Sequence, residues 1–423
     1  MKKLIEKFAV IGKPIFHSLS PEIFTQLYKQ HNFQNTRYYR ISANSLNESL
    51  EFIQKFNFKG FNVTAPYKEQ IINSLHSIDK ISSEIGAVNT VLNQNNKLFG
   101  SNTDFLAIVD LLEKYAIKKT SKILVLGAGG AAKAAINALK SKNYTNVHLS
   151  NRTHNKIINL PKKFDYQSIK FNNLKLHLNN FDFIINTTPL QLHTSNKHTI
   201  ILNADYSSET QQDNIISGKE WLLLQALYSF QIYHKINPDP QFDYKTLTSK
   251  KKKIITLIGF SGSGKTTIAK HLSKHLGLTF IDIDLEIEKQ TSKSIQQIFN
   301  HYGENHFRKI ESQILKQILN SEKTIISCGG GIVKNHNNRK LLQKSLVCWL
   351  YTDPAKCLER KNFHMNPPLN QFNHDKNLLT IQTEKLFNHR LEQYFATAHN
   401  IIINNSDEKT IIERLKNEIS KLQ

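Results

Sequence analysis

The sequence predicts an α/β protein made of three successive strand–helix units, and three observations predict it. Short apolar runs alternate with helical stretches from the N-terminus onward, the rhythm of strands covered by helices. That rhythm restarts at "KILVLGAGGAAKAAINALK" from Lys122 and at "KIITLIGFSGSGKTTIAKHL" from Lys253, each a buried strand, a glycine-rich turn and a helix. The chain of 423 residues is long enough for more than one core, since domains commonly run ~100–200 residues. The glycine turns differ in type, so no internal repeat generates them.

In chain order, "FAVIG" is a strand, "PEIFTQLYKQ" a helix, "RYYRIS" a strand, "LNESLEFIQKF" a helix and "GFNVTA" a strand, which predicts a parallel layer. The unit at Gly127 is expected to end soon after Tyr206. The apolar helix "WLLLQALYSFQIYH" precedes "INPDPQFDYKTLTSKKKK", where two prolines, polar residues and a lysine run read as a linker. The expected organisation is a first part over 1–247, a linker over 237–253 and a last domain over 254–423. Within the first part, 1–110 and about 218–236 form one subdomain and 121–206 the dinucleotide-type one.

The net charge is +22, from 56 Lys and Arg against 34 Asp and Glu. The lysines are scattered, the one dense run, Ser249–Lys253, falls in the linker, and basic and aromatic residues do not interleave. A nucleic-acid partner is therefore not expected, and the field suits small anionic substrates. No stretch approaches the ~18 apolar residues of a membrane span, and Glu6 and Lys7 interrupt the N-terminal apolar run. Cys328, Cys348 and Cys357 are odd in number and not in metal spacing, which fits a reducing compartment, the cytoplasm by default.

In the first glycine turn, Gly127, Gly129 and Ala132 stand where a dinucleotide fold needs a tight turn, close backbone approach and helix packing. Gly127, Ala128, Gly129, Gly130 and Ala131 are the expected cofactor-binding turn, with the diphosphate at the helix N-terminus. About 20 residues on, where an NAD site carries an acidic group, the chain reads "LSNRTH". Asn151, Arg152 and Thr153 suit a 2′-phosphate, hence NADP(H). A ligand-free turn and a solvated strand-end arginine are the alternatives.

In the second, the loop from Gly259 to Gly264 with Lys265 and Thr266 has Walker A spacing. Gly262, Ser263, Gly264, Lys265, Thr266 and Thr267 are expected to hold ATP phosphates and Mg²⁺. Asp282 and Asp284, two apart, are expected on one side of a strand end. One would organise the metal and the other accept the proton of an attacking hydroxyl. Arg308, Glu311, the triplet Gly329, Gly330 and Gly331, and Arg390 follow; two arginines suit an acceptor carrying a carboxylate. Glu311 pairing only with a helix neighbour and Gly331 only turning the chain are the alternatives.

Upstream, "HSLS", "GFNVTAPYK", "GAVNT" and "SNTDF" occur in that order, and together they resemble shikimate dehydrogenase. The resemblance implies that Ser18 and Ser20 hold the substrate carboxylate. Thr64, Asn89 and Asp104 would bind ring hydroxyls, and Lys68 with Asp104 would be the catalytic pair. "DYSSE" and "SGKEWLLLQALYSF" resemble later family segments and imply that Tyr206 and Gln225 reach the substrate. The chain departs from the family in "FLAIVD" after Asp104, after "IINTTPL", and in the short run from Tyr206 to Gly218, which compress the nicotinamide side.

From Ile254 to about Lys421 the features resemble shikimate kinase. This implies a nucleoside-monophosphate-kinase-like P-loop domain with Lys265 and Thr266 for MgATP and Asp282 for magnesium. Asp284, Arg308, the glycine triplet and Arg390 would bind shikimate, and Arg360 would cover the adenine. Where that family's lid carries an arginine this chain has Pro367, with Lys361 and His364 close by, so a slower or differently assisted kinase is expected. The two resemblances imply a substrate-binding α/β subdomain, a Rossmann NADP subdomain and a P-loop domain. Together these would reduce 3-dehydroshikimate to shikimate and then phosphorylate it. The alternative is a chain in which one half is only a shikimate-binding or scaffold module.

Overall fold

The expected strand–helix rhythm is present in a computed structural model, which describes residues 4–158, 166–206, 214–248, 254–360 and 376–420. The chain divides into two units, one formed by 1–21, 35–57 and 248–423 and the other by 22–34 and 58–247.

In the first unit every strand pair is parallel. The order is Thr279–Asp282, Thr324–Ser327, Ile254–Ile258, Leu346–Tyr351, Asn400–Ile403, Thr36–Ser42, Glu6–Ile11. Ile254–Ile258, Thr324–Ser327 and Asn400–Ile403 are buried at every position, which explains their isoleucine-rich, non-alternating composition. Two strands from the start of the chain thus lie in the same sheet as those beyond residue 253. Phe52 and Phe56, from the helix Leu46–Lys55 and its C-cap, share a core with Trp349, Tyr351 and Phe395. Ring centroids are 6.2 Å apart for Phe52–Trp349, 5.4 Å for Phe56–Tyr351 and 5.6 Å for Phe56–Phe395. Each such ring, buried, contributes about 1.5–3 kcal/mol through removal from water. Cys328, Cys348 and Cys357 are free and buried.

The second unit contains two sheets, and one departs from the parallel layer expected. Gly60–Val63 pairs antiparallel with Thr90–Gln94, which pairs antiparallel with Lys97–Ser101. The last two strands are joined by a two-residue turn: Asn95 and Asn96 have φ of 52° and 63°, the left-handed pair that matches hairpin twist and that asparagine tolerates. The other sheet is parallel throughout, in the order Ile215–Ile216, Ile200–Asn203, Phe183–Asn186, Ile123–Leu126, Val147–Ser150, Gln167–Ser168. The helices Thr103–Lys114 and Gly130–Ser141 and Trp221 of the helix Gly218–His234 bury Leu111, Ala134, Ala138 and Trp221 in one core with Val125 and Ile185.

His234, at the end of the helix Gly218–His234, lies 4.5 Å from Phe230, 4.6 Å from Phe33 and 5.6 Å from Tyr28, centroid to centroid. Burial, and secondarily His31, pushes its pKa down from 6.5 to about 4. The folded state therefore binds fewer protons than the unfolded one across that interval. Stability present above the unfolded value is lost as pH falls toward the folded one. Thermal melts should give a lower Tm at pH ~4.5 than at ~7.5, and His234→Phe should narrow that gap. An unchanged gap would count against His234 as its source.

Candidate active sites

Both glycine turns end in helices whose N-caps carry no side-chain bond. Gly129 caps Gly130–Ser141 and Gly264 caps Lys265–Leu276, neither with a side-chain hydrogen bond. Ser45, Asn102, Ser217 and Ser294 close their own helices with side-chain oxygens. Leading N–H groups left without a side-chain cap, at the positive end of the helix dipole, are where phosphate binds.

Around the first turn, Gly127 donates its N–H to Ser150 O at 2.9 Å. This sets the strand end bearing Asn151, Arg152 and Thr153 beside the turn. Asn151 Nδ2 donates to Thr153 O at 2.8 Å, and Arg152 and Thr153 are exposed. An uncapped helix start with an exposed guanidinium nearby fits a dinucleotide bearing an extra phosphate. A Cβ on Gly129 would meet nothing within 4 Å, whereas one on Gly130 would lie 3.0 Å from Lys68 Cβ and 3.3 Å from Ala87 Cβ. The glycine turn therefore abuts Lys68.

Lys68 follows the strand Gly60–Val63, held by Val88 N–H donating to Lys68 O at 2.8 Å. Its ammonium lies 2.6 Å from Asp104 Oδ2, with side-chain exposures of 16% and 8%, so water screens this pair little. Asp104 sits in the first turn of Thr103–Lys114, behind the N-cap Asn102. Beside it, Asn89 Nδ2 donates to Gln225 Oε1 at 3.2 Å, and Asn89 Oδ1 accepts from Thr103 N–H at 2.8 Å. Asn62 Nδ2 lies 2.9–3.1 Å from three acceptors, Asn89 O, Thr90 Oγ1 and Ser229 Oγ, among which its two N–H groups are shared. Thr103 and Ser229 hydroxyls are 3.2 Å apart. This buried network fixes Asn89 and Gln225 in orientation. Sequence reasoning missed Asn62, Thr90, Thr103 and Ser229 as members. Ser229 had a signal, four residues after Gln225 on the same helix face. Thr64, next after the strand Gly60–Val63, and Tyr206, three residues past Ile200–Asn203, are half-buried.

In the other unit, Ser18 and Ser20 are buried. Ser18 N–H donates to Ile15 O at 3.0 Å, Ser20 N–H donates to Ser18 Oγ at 3.3 Å, and the two hydroxyls are 3.2 Å apart.

The second site lies in this unit as well. Gly262 has φ of +83°, and a Cβ there would fall 2.4 Å from Cys357 O, so only glycine fits that turn. Lys265 is buried, its Nζ donating to Phe260 O at 2.8 Å and lying 3.4 Å from Ser263 Oγ. Burial pulls its pKa down against the attraction of Asp284. Thr266 Oγ1 donates to Asp282 Oδ2 at 2.7 Å, a pair of hard oxygens that fits Mg²⁺. Among the described residues no group of three or more His, Cys, Asp or Glu could hold a metal.

Asp282 and Asp284 do not share a strand end as expected. Thr279–Asp282 stops because the Asp282 carboxylate caps the next helix, accepting from Asp284 and Leu285 N–H, so Asp284 lies in the first turn of Ile283–Thr291. Burial, with Asp282 second, pushes its pKa up to about 6 while Lys265 and Arg308 oppose the rise. Arg308 is 2.8 Å from Glu311 and 3.1 Å from Glu304. Burial pushes fully enclosed Glu311 up to about 7 against the pull of Arg308. The glycine triplet threads between these groups: a Cβ on Gly329 would lie 2.8 Å from Asp284 Oδ1, and one on Gly331 2.1 Å from Arg308 Nη2. Arg390 Nη1 donates to Gly330 O at 3.2 Å, while its buried Nε has no hydrogen-bond partner among the described residues, a donor awaiting an acceptor.

Arg360 is exposed and its Nη2 donates to Asn404 O and Ser406 O at 3.3 and 3.0 Å. Thr267 is exposed at the helix start. Lys361, His364 and Pro367 lie outside the described residues. Two members had no spacing signal: Asn404 Nδ2 donates to Ser263 O at 2.7 Å, and Tyr394 Oη to Gly330 O at 2.7 Å.

These two sites define a chain that pairs a dinucleotide-dependent reductase with a P-loop kinase for an anionic acceptor. Family descriptions match accordingly: "Shikimate dehydrogenase substrate binding domain" over residues 10–91, "Shikimate / quinate 5-dehydrogenase" over 110–214, and "Shikimate kinase" over 261–420. The chain belongs to the shikimate dehydrogenase family and carries a shikimate kinase domain after it. It is 34% identical over 252 residues to the NADP(+) shikimate dehydrogenase of Nitrosopumilus maritimus, covering 54% of this chain and 92% of that one. To a Staphylococcus epidermidis counterpart it is 33% identical over 254 residues, covering 55% and 94%. Among solved structures, Aquifex aeolicus shikimate dehydrogenase superposes with TM-score 0.50 at 32% identity, over 56% of this chain and 94% of that one. A chorismate mutase/shikimate 5-dehydrogenase fusion from Clostridium acetobutylicum does so with TM-score 0.50 at 25% identity, over 56% and 94%. No helix among the described residues is long and apolar enough to cross a membrane.

Proposed function

We propose that this chain carries out two consecutive reactions in the cytoplasm: NADPH-dependent reduction of 3-dehydroshikimate to shikimate, then MgATP-dependent phosphorylation to shikimate 3-phosphate. The dehydrogenase is assigned to 1–247, with 1–110 and about 218–236 its substrate subdomain and 121–206 its NADP subdomain, and the kinase to 254–423, with 237–253 between them. The observation that carries the reading is the Lys68–Asp104 pair set against the cofactor turn at Gly130. Each part holds an assembled lysine site, which disfavours a chain in which one part only binds or scaffolds.

In the reductase, NADPH when bound supplies the hydride. The Lys68 ammonium delivers a proton to the developing alkoxide and Asp104 keeps it aimed. Asn89, Thr64, Gln225 and Tyr206 are assigned to the ring hydroxyls, Ser18 and Ser20 to the carboxylate. Gly127–Ala131 are assigned to the diphosphate and Asn151, Arg152 and Thr153 to the 2′-phosphate.

In the kinase, MgATP when bound supplies the phosphoryl group. Gly262–Thr267 cradle its phosphates, Thr266 and Asp282 hold the ion, and Arg360 covers the adenine. Asp284 takes the proton of the attacking hydroxyl, and Lys265 offsets charge on the transferring group. Arg308, Arg390 and the triplet Gly329–Gly331 seat the acid.

A single reaction with 3-dehydroshikimate, NADPH and MgATP tests the sequence. NADPH loss should precede ADP formation and approach it one for one. ADP formed at full rate without NADPH would refute the order. A Cβ at position 331 would displace the Arg308 guanidinium, so Gly331→Ala should raise the kinase KM for shikimate by about tenfold or more. KM for MgATP should hold, and an unchanged shikimate KM would remove Arg308 from the acceptor site.

A further inference from the structure

The loop carrying Ser18 and Ser20 is built with parts of the kinase domain. The kinase match spans 261–420 and the dehydrogenase substrate-domain match 10–91. The kinase strand Asn400–Ile403 pairs in parallel with Thr36–Ser42, Asn400 opposite Arg40 and Ile402 opposite Ser42. From that strand, Arg40 Nε and Nη2 both donate to Ser18 O, at 2.7 and 2.5 Å. From the last helix, Glu408–Ser420, the fully buried Glu418 turns both carboxylate oxygens toward the same loop. Its Oε2 accepts from Ile15 N–H at 2.6 Å and Phe16 N–H at 2.9 Å, and its Oε1 from Ser42 Oγ at 2.8 Å. Ile15 O in turn accepts from Ser18 N–H.

We infer that Glu418, a residue of the kinase domain, is a positioning residue for the dehydrogenase's substrate-carboxylate loop, holding Ile15 and Phe16 so that Ser18 and Ser20 are preformed. The inference rests on the reading of Ser18 and Ser20 as carboxylate ligands. Two adjacent backbone N–H groups in a buried turn need an acceptor, and the loop's own residues supply none for them in the bonds above. A side chain reaching in from more than 400 residues along the chain closes the turn. The dehydrogenase part is therefore completed by the kinase part rather than merely joined to it.

The test uses the full-length chain and the steady-state kinetics of dehydroshikimate reduction. Glu418→Gln keeps the reach: its Oε1 can accept from both amides and its Nε2 donate to Ser42. Glu418→Asp keeps the charge but withdraws the carboxylate by one methylene. Glu418→Asp and Glu418→Ala should raise KM for 3-dehydroshikimate by about tenfold or more, with KM for NADPH within about twofold of wild type. Glu418→Gln should stay within about threefold of wild type on both. A defect that merely destabilised the fold would not separate the two KM values, and Glu418→Asp carries the test if Glu418→Ala does not fold. Ser18→Ala keeps the outcomes distinct. If it raises the dehydroshikimate KM while Glu418→Asp leaves it unchanged, the inference is overturned and the carboxylate reading stands. If Ser18→Ala leaves it unchanged, both fall.

Discussion

Replacing Lys265 with alanine is expected to lower kinase turnover by about 10³-fold, the scale seen when one preorganised charge is removed from a developing anionic centre, while dehydroshikimate reduction continues at the wild-type rate. The size follows from the surroundings. The ammonium is buried and held at the loop by Phe260 O and Ser263 Oγ, a preorganised charge of the kind this reaction class depends on. Its pKa is drawn down by burial, opposed first by the nearby Asp284. ADP release with shikimate supplied directly, beside NADPH oxidation in the same preparation, measures both halves at once. A kinase rate that ignored the substitution would end the P-loop assignment. A parallel fall in both rates would point to damaged folding, which circular dichroism would register.

Lys68→Ala should show the mirror image. Reduction should fall by ~10²–10⁴-fold, the contribution of a positioned proton donor, with phosphorylation of added shikimate intact. Removing the ammonium also leaves Asp104, only 8% exposed, without its charged partner, a loss of about 3 kcal/mol in comparable buried pairs. Some of the effect will therefore appear as lowered stability of the unit formed by 22–34 and 58–247. Asp104→Asn separates the two causes: it keeps the shape and leaves the lysine unaimed, so turnover should fall by about tenfold or more while the melt shifts less than in Lys68→Ala. Reduction at the wild-type rate in Lys68→Ala would remove the lysine from the chemistry.

What could be read in the sequence was local. A glycine turn between a buried strand and a helix dictates its own geometry, so both glycine loops, with Lys265 and Thr266 at fixed offsets, are legible in the sequence. Lys68 and Asp104 were visible only as members of a resemblance, because nothing in their separation of 36 residues announces a 2.6 Å ion pair. The position of Asp284 was misread for a physical reason. An aspartate ending a strand is also a strong helix cap, and Asp282 takes that role, moving its neighbour from strand to helix. The hairpin at Asn95–Asn96 carried a legible cue in two adjacent asparagines, yet alternation with helices favoured parallel strands. Ser229, Asn404 and Glu418 belong to contacts spanning 126, 141 and 403 residues, with Thr103, Ser263 and Ile15 in turn. Such pairings leave no periodicity behind.

The pairing of Asn400–Ile403 with Thr36–Ser42 has a consequence for solubility. An edge strand exposes a ladder of backbone donors and acceptors that invites foreign chains to stack. Here the neighbouring enzyme occupies that ladder, acting as a permanent guard on a surface that would otherwise need lysines or a proline to discourage fibrils.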